Sequence, residues 1–405
     1  MSIGIGGSTM EAELGRLSAI SVTSDPLPHS EFQRRIDNAC ALMATLGFDA
    51  VYLTAGSNLY YFTGTKWHPS ERMVGAVLTA SGSIDYIVPA FEEATFSRYM
   101  LVDGNISCWQ EHESPFELFV SILKALGLSG GKVGIDEATP FHHFGEISQA
   151  AKNQAFVDAR PITAGCRSRK SGAEIRLMQT AMDMTLEVHK SAARILRPGI
   201  LTTEVVAFID QAHKAIGSPD GSTFCAVQFG EATAYPHGIP NPQVLADGDV
   251  VLIDTGCLVQ NYHSDITRTY VFGEPGRRHR EVWDDEKAAQ ATAFAAARLG
   301  VRCGDVDIAA RTYLESLGYG PDYAVPGLPH RTGHGIGLDV HEWPYLVRSE
   351  DTVLDVGMCF SNEPMLCLYG EFGVRLEDHF YMTDRGPKWF TTPSHSIDDP
   401  FALAS

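Results

Sequence analysis

Paired cysteine motifs are missing from this 405-residue chain. Its eight cysteines, Cys40, Cys108, Cys166, Cys225, Cys257, Cys303, Cys359 and Cys367, are scattered, and none forms a Cys-x-x-Cys pair. That argues against a zinc ribbon or a thioredoxin-type site. They read instead as free thiols in a reducing compartment. No apolar run reaches the roughly 20 residues needed to cross a bilayer. Met1 to Thr23 carries neither a basic nor an apolar leader segment. A soluble cytoplasmic protein with no membrane partner is expected. Positive charge is scarce too: 31 Lys and Arg stand against 50 Asp and Glu, for a net charge of -19. A nucleic-acid partner would require a basic patch, so none is expected. The remaining composition, 44% hydrophobic and 20% charged, is that of an ordinary globular protein.

Along the chain, residues 1–28 read as a flexible lead-in ending at Pro26 and Pro28. Phe32, Ile36, Ala39, Met43 and Leu46 then share one helical face, and Gly47 stops that helix. Helix and strand signals alternate to about residue 160, which predicts an α/β layer over 29–165. Within it, Tyr60 to Gly64 and Trp67-His68 read as an aromatic loop, with core packing the favoured role over ligand contact. The basic stretch 161–170 marks a boundary, and 170–405 reads as a second, larger domain. It opens with a helix from Gly172 to Leu196. His189 lies on the apolar face of that helix and is expected to be a core histidine.

The chemistry concentrates in the second domain. The run His330-Arg-Thr-Gly-His334-Gly-Ile-Gly-Leu-Asp-Val-His341-Glu342 holds three histidines and three glycines. Alternating glycines suit backbone that must lie close to something else, and a histidine there is a candidate metal ligand. Two carboxylate pairs lie on either side of it. Val250 to Ile253 is an apolar strand ending at Asp254, and Ile266 to Phe272 is its expected partner. Asp254 and Asp265 are equidistant from Val259-Gln260, so a hairpin centred there opposes them. Glu363 and Glu377 are likewise equidistant from Gly370. Opposed like charges repel unless a cation or proton lies between them. Four carboxylates with a histidine form an oxygen-rich set suited to Mn, Fe, Co or Zn, with charge enough for two cations. Such an arrangement is equipped for amide hydrolysis.

These residues resemble the pita-bread metallopeptidases, the superfamily of prolidases, aminopeptidase P, methionine aminopeptidases and the metal-free creatinases. The histidine run matches the signature of the proline-specific members, and Asp254, Asp265, His334, Glu363 and Glu377 match the superfamily's five metal ligands. The resemblance covers the chain beyond the lead-in. It implies an α/β (α+β) protein with a creatinase-type N-terminal domain followed by a pita-bread catalytic domain. It also implies two divalent ions, with Mn favoured over Co, Zn or Fe. Asp254 would chelate one ion, His334 and Glu363 the other, and Asp265 and Glu377 would bridge them around a nucleophilic hydroxide. Glu363 would serve as general base and acid, and His341 would steady the oxyanion. His237 and His330 match further active-site histidines. Arg375 would support Glu377 or meet a substrate carboxylate. In relatives the N-terminal domain narrows the entrance, often from the partner in a homodimer, which makes the Trp67 loop a candidate for closing the pocket. The implied substrate is a small Xaa-Pro peptide. Prolidase activity on dipeptides is the first expectation, and aminopeptidase P activity on longer peptides the second. A metal-dependent non-peptidase enzyme and a non-catalytic binding domain on the same scaffold also stay open. Retention of all five ligands argues against the metal-free creatinase type.

Overall fold

The computed structural model describes residues 3–403. These form two compact units, Leu27–Arg167 and a larger one built from the N-terminal stretch to Pro26 together with Ser168 onward. The flexible lead-in expected over residues 1–28 is corrected here. Helix α1 spans Met10–Ala19, capped by the Thr9 side chain on Ala12 N–H. Leu17 is fully buried, and Arg16 pairs with Glu187 at 2.9 Å while Glu13 meets Arg194 at 3.2 Å. The Gly- and Ser-rich composition ahead of α1 concealed a docking helix, because buried Leu17 and these cross-chain ion pairs are tertiary effects.

The smaller unit is an α/β layer. Helix α2 is His29–Leu46, and Gly47 closes it in the left-handed conformation. The strands β1 (Ala50–Thr54), β2 (Gly75–Thr79), β3 (Ile84–Pro89), β4 (Asn105–Trp109), β5 (Lys132–Ile135) and β6 (Ala155–Asp158) form one sheet in the order β4-β3-β2-β1-β5-β6. Helices α3 (Ser57–Thr63), α4 (Glu93–Tyr99), α5 (Pro115–Ala125), α6 (Phe141–Ala150) and α7 (Thr163–Arg167) accompany it. The apolar face of α5 buries Phe119, Ile122 and Leu123 against Tyr52 and Ile87 of the sheet. Tyr60 to Gly64, expected as loop, belongs mostly to α3. It is helical because Tyr61 and Phe62 are buried and Gly64 ends the turn with φ of +70°. Trp67 packs on Phe96, with ring centroids 5.3 Å apart, in keeping with the packing role favoured for it.

The larger unit starts with α8 (Gly172–Arg194), whose Ser171 and Glu174 form a reciprocal capping box. His189 on α8 is fully buried and bonded to the Ile266 carbonyl at 2.9 Å, a core histidine as expected. Helix α9 is Thr202–Ile216. Strands β7 (Ser222–Phe229), β8 (Val250–Val259), β9 (Tyr262–His263) and β10 (Ile266–Val271) form the first sheet. Helices α10 (Arg277–Ala296) and α11 (Cys303–Ser316) follow. A second sheet takes β11 (Gly333–Gly335), β12 (Glu342–Leu346), β13 (Cys359–Asn362), β16 (Asp378–Thr383) and β17 (Gly386–Trp389) in the order β12-β11-β13-β16-β17. Between β13 and β16 the chain makes a two-stranded excursion, β14 (Met365–Leu368) and β15 (Phe372–Arg375). One bridge, Thr267 to Glu377, links the two larger sheets.

The two expected hairpins fare differently. In the second, Asn362 pairs with Asp378 and Met365 with Arg375, so both ladders keep the register centred on Gly370. In the first, Asp254 pairs with Thr267, not Asp265. The turn is Gln260-Asn261, with φ of 49° and 68°, between paired Val259 and Tyr262. This is a two-residue primed turn made without glycine, and it moves the centre one residue along the chain. The partner therefore shifts by two. Because strand side chains alternate with period two, Asp265 still shares a face with Asp254.

Candidate metal centre

His334 is placed by backbone that no larger residue could share. A Cβ on Gly333 would lie 2.1 Å from the Ser361 carbonyl, so β11 fits between β12 and β13 only with glycine beside the histidine. His334 N–H donates to Ser361 Oγ at 2.9 Å, and its ring Nδ1 lies 2.9 Å from the Gly335 carbonyl. A carbonyl can only accept, so Nδ1 carries the proton and Nε2 keeps its lone pair. Nε2 faces Glu363 Oε1 at 3.2 Å and Asp265 Oδ2 at 3.6 Å.

Around it stand the predicted carboxylates. Asp265 and Glu377 are buried, and Asp254 and Glu363 are half-buried. Thr267 Oγ donates to Glu377 Oε2 at 2.7 Å, and Arg375 Nε donates to Thr267 Oγ at 3.0 Å. Arg375 Nη2 reaches Asp254 Oδ2 at 2.6 Å. Arg375 is thus buried beside the carboxylates rather than forming a surface ladder with Glu377. It is joined to Glu377 through Thr267. His330 is half-buried at the site, with Nδ1 2.7 Å from the Arg331 carbonyl. The His341 ring lies 4.1 Å from that of His334, on the exposed side. His237 is exposed on the loop after Tyr235, near enough that its charge acts on His341.

The electrostatics call for a cation. Burial, then repulsion from Glu377, Asp254 and Glu363, pushes the Asp265 carboxyl well above its ordinary range. Burial, then Glu363 and Asp254, does the same to Glu377. Burial raises the Glu363 carboxyl, and the hydrogen bond and charge of a protonated His334, then the charges of His330 and Arg375, would hold it low; a neutral His334 ring with its lone pair on Nε2 leaves that oxygen facing an acceptor. Asp254 Oδ1, Asp265 Oδ1 and Glu377 Oε1 are buried without a hydrogen-bond partner among the described residues. Unsatisfied acceptors in a buried, like-charged cluster are costly. Divalent cations on these oxygens would satisfy them, and the donor set fits hard ions. Asp265, His334, Glu377 and His379 offer ligand atoms that all lie within 4.8 Å of one another.

Three site residues escaped the sequence reading. His379 and Thr267 each lie two positions beyond a ligand, Glu377 and Asp265, and strand periodicity would have placed them on the same face. Asp307 lies on α11, far away in the chain. It accepts from Thr332 N–H at 3.1 Å and Thr332 Oγ at 2.7 Å, steadying the approach to His334, and nothing local in sequence marks it.

An α/β domain followed by two sheets around a buried carboxylate–histidine centre defines a metallopeptidase with the pita-bread fold. The chain belongs to metallopeptidase family M24, whose model matches residues 176–384. The creatinase/prolidase N-terminal domain matches residues 35–169. A Bacillus subtilis protein, YkvY, named provisionally as a dipeptidase, is 32% identical over 87% of this chain and 96% of its own length. Among solved structures, dipeptidase PepE from Mycobacterium ulcerans is 30% identical, with a TM-score of 0.85, covering 92% of this chain and 98% of that one. A prolidase from Thermococcus sibiricus is 30% identical, with a TM-score of 0.81 over 89% of this chain and 97% of its own. An X-Pro aminopeptidase from Thermotoga maritima reaches 25% identity and a TM-score of 0.76, over 88% and 97%.

Proposed function

We propose that this peptidase hydrolyses Xaa-Pro bonds, with Xaa-Pro dipeptides its favoured substrates. The observation that carries the proposal is the convergence of Asp254, Asp265, His334, Glu363 and Glu377 with three orphaned carboxylate oxygens among them. Likeness to a prolidase and to dipeptidases along nearly the whole chain supports the substrate class. In this reading the five residues hold two divalent ions, manganese first and cobalt, zinc or iron as alternatives. Ions held there would acidify water and polarise the scissile carbonyl.

The chain's own residues supply the rest. Glu363, with Oε1 3.2 Å from His334 Nε2, accepts the proton of the attacking water and returns it to the departing proline nitrogen. That delivery matters because the Xaa-Pro bond is a tertiary amide without an N–H, and its nitrogen must leave as a secondary amine. His341, on the exposed side of His334, meets the carbonyl oxygen as charge develops there. His237 and His330 flank the substrate. Arg375 keeps Asp254 and the Thr267–Glu377 pair in place. A cytoplasmic homodimer belongs to the same proposal, and light scattering of the purified chain tests its dimeric part.

The test uses metal-stripped protein with Mn(II) restored. Proline release from Ala-Pro and Leu-Pro is compared with alanine release from Ala-Pro-Ala. Cleavage of the dipeptides and not the tripeptide is expected. A preference for the tripeptide would move the assignment to an aminopeptidase P, the reading favoured by the Thermotoga likeness. No metal-stimulated cleavage of any of the three would reject Xaa-Pro specificity and leave a non-peptidase enzyme or a binding domain on this scaffold.

A further inference from the structure

We propose that His379 is an additional metal ligand, a sixth beyond Asp254, Asp265, His334, Glu363 and Glu377, and gives the centre a second imidazole. The inference rests on the metal-centre reading above.

Strand β16 continues directly from Glu377, and His379 follows two residues later, on the same face. It pairs across the sheet with Ser361 of β13, the residue whose hydroxyl meets Glu363 at 3.2 Å and the His334 N–H at 2.9 Å. The ring is fully buried. It lies 6.0 Å from the His334 ring, and a ring nitrogen is 4.0 Å from Glu377 Oε1. Neither ring nitrogen has a hydrogen-bond partner among the described residues, although the Asp265 carbonyl approaches the ring. His189 shows the contrast: it is equally buried, but its Nε2 is bonded to a carbonyl. A buried imidazole without a side-chain hydrogen bond, with a nitrogen in one cluster with the Asp265 and Glu377 carboxylates and His334, is costly as pure packing and inexpensive as a ligand.

A second nitrogen donor alters selectivity as well as affinity. Imidazole suits zinc, iron, cobalt and nickel better than manganese, which prefers carboxylate oxygen. The five-ligand set has one imidazole for two ions, and His379 makes it two, one per ion on average.

Two measurements test this. Zinc-loaded and cobalt-loaded wild-type protein is examined by X-ray absorption, which counts imidazoles per metal. One per ion on average is expected, and half as many would overturn the proposal without requiring any variant to fold. His379→Gln and His379→Leu are then compared with wild type by titration calorimetry and elemental analysis. At one of two sites, zinc and cobalt affinity should fall at least about tenfold, manganese affinity should fall less, and the cobalt absorption spectrum should change. Two ions held with wild-type affinity and spectrum by a folded variant would exclude His379 as a ligand while leaving the five-residue centre intact. A wild-type protein that binds no divalent ion would defeat the metal-centre reading itself, and this inference with it.

Discussion

The two carboxylate hairpins look alike in sequence and are built differently. In the hairpin around Gly370, the excursion β14–β15 and the sheet pair β13–β16 share one register, so Glu363 and Glu377 sit at the seam as equidistance predicts. In the hairpin after Asp254, Gln260 and Asn261 take left-handed conformations, and Asp254 faces Thr267. The consequence is chemical. The residue opposite Asp254 is a hydroxyl that ties Glu377 to Arg375, while Asp265 moves along the same face toward His334. A register error of one residue would have turned Asp265 to the wrong side of the sheet. An error of two preserves the face and changes only the neighbour.

The sharpest way to break the comparison is to neutralise one carboxylate from each hairpin. Asp265→Asn and Glu377→Gln should each lower activity by more than the roughly 100-fold typical of losing an outer partner of a metal site. They should also reduce bound metal, as read by elemental analysis. If either variant kept full metal and near-normal kcat, its hairpin would not be a ligand carrier.

Stability separates the hairpins next. A Cβ on Gly256 of β8 would lie 1.9 Å from the Ser264 carbonyl, whereas one on Gly370 meets open space. Gly256→Ala should therefore cost about 3 kcal/mol in urea unfolding. Gly370→Ala, at φ of +81°, should cost about 1 kcal/mol. Equal effects would mean that the two turns are equally forgiving.

One source of acid sensitivity lies outside both hairpins. Burial lowers His213 to about 4, and its ring sits between Thr185 Oγ at 3.1 Å and Ser222 Oγ at 2.8 Å. The unfolded chain takes up this proton near pH 6.5 and the folded chain only near 4. Its stabilising contribution is therefore present above pH 6.5 and lost as pH falls from 6.5 toward 4, by at most about 3 kcal/mol. His213→Asn should flatten that part of the stability–pH curve, measured by thermal melts. An unchanged slope would assign acid sensitivity to other groups.

A smaller effect probes the tie between the hairpins. Thr267→Val removes the hydroxyl between Arg375 and Glu377 and should lower kcat about 10-fold to 100-fold with metal content retained. A drop in metal content equal to that of Glu377→Gln would show that the hydroxyl holds the ligand itself rather than its orientation.

The sequence alone determined the parts governed by local period and local chemistry. The α8 helix with its core histidine, the α/β alternation of the first unit and the Gly370 register all follow from spacing. Five buried or half-buried acidic and histidine side chains of the centre were named from their own segments. Resemblance to a known family supplied their roles, which the geometry is consistent with and experiment must test. Tertiary structure decided what depends on distant partners. Helix α1 exists as a docked element because Leu17, Glu13 and Arg16 find α8. Asp307 steadies the strand of His334 from a helix more than twenty residues earlier. The Gln260-Asn261 turn carries no glycine to mark it, and only the ladder on either side compels its left-handed backbone. His379 became notable through what surrounds it: a histidine two residues past a glutamate is unremarkable until burial leaves its ring without a side-chain hydrogen bond and brings it into one cluster with Asp265, His334 and Glu377. Local periodicity specifies which face a side chain shares, and only packing specifies what that face meets.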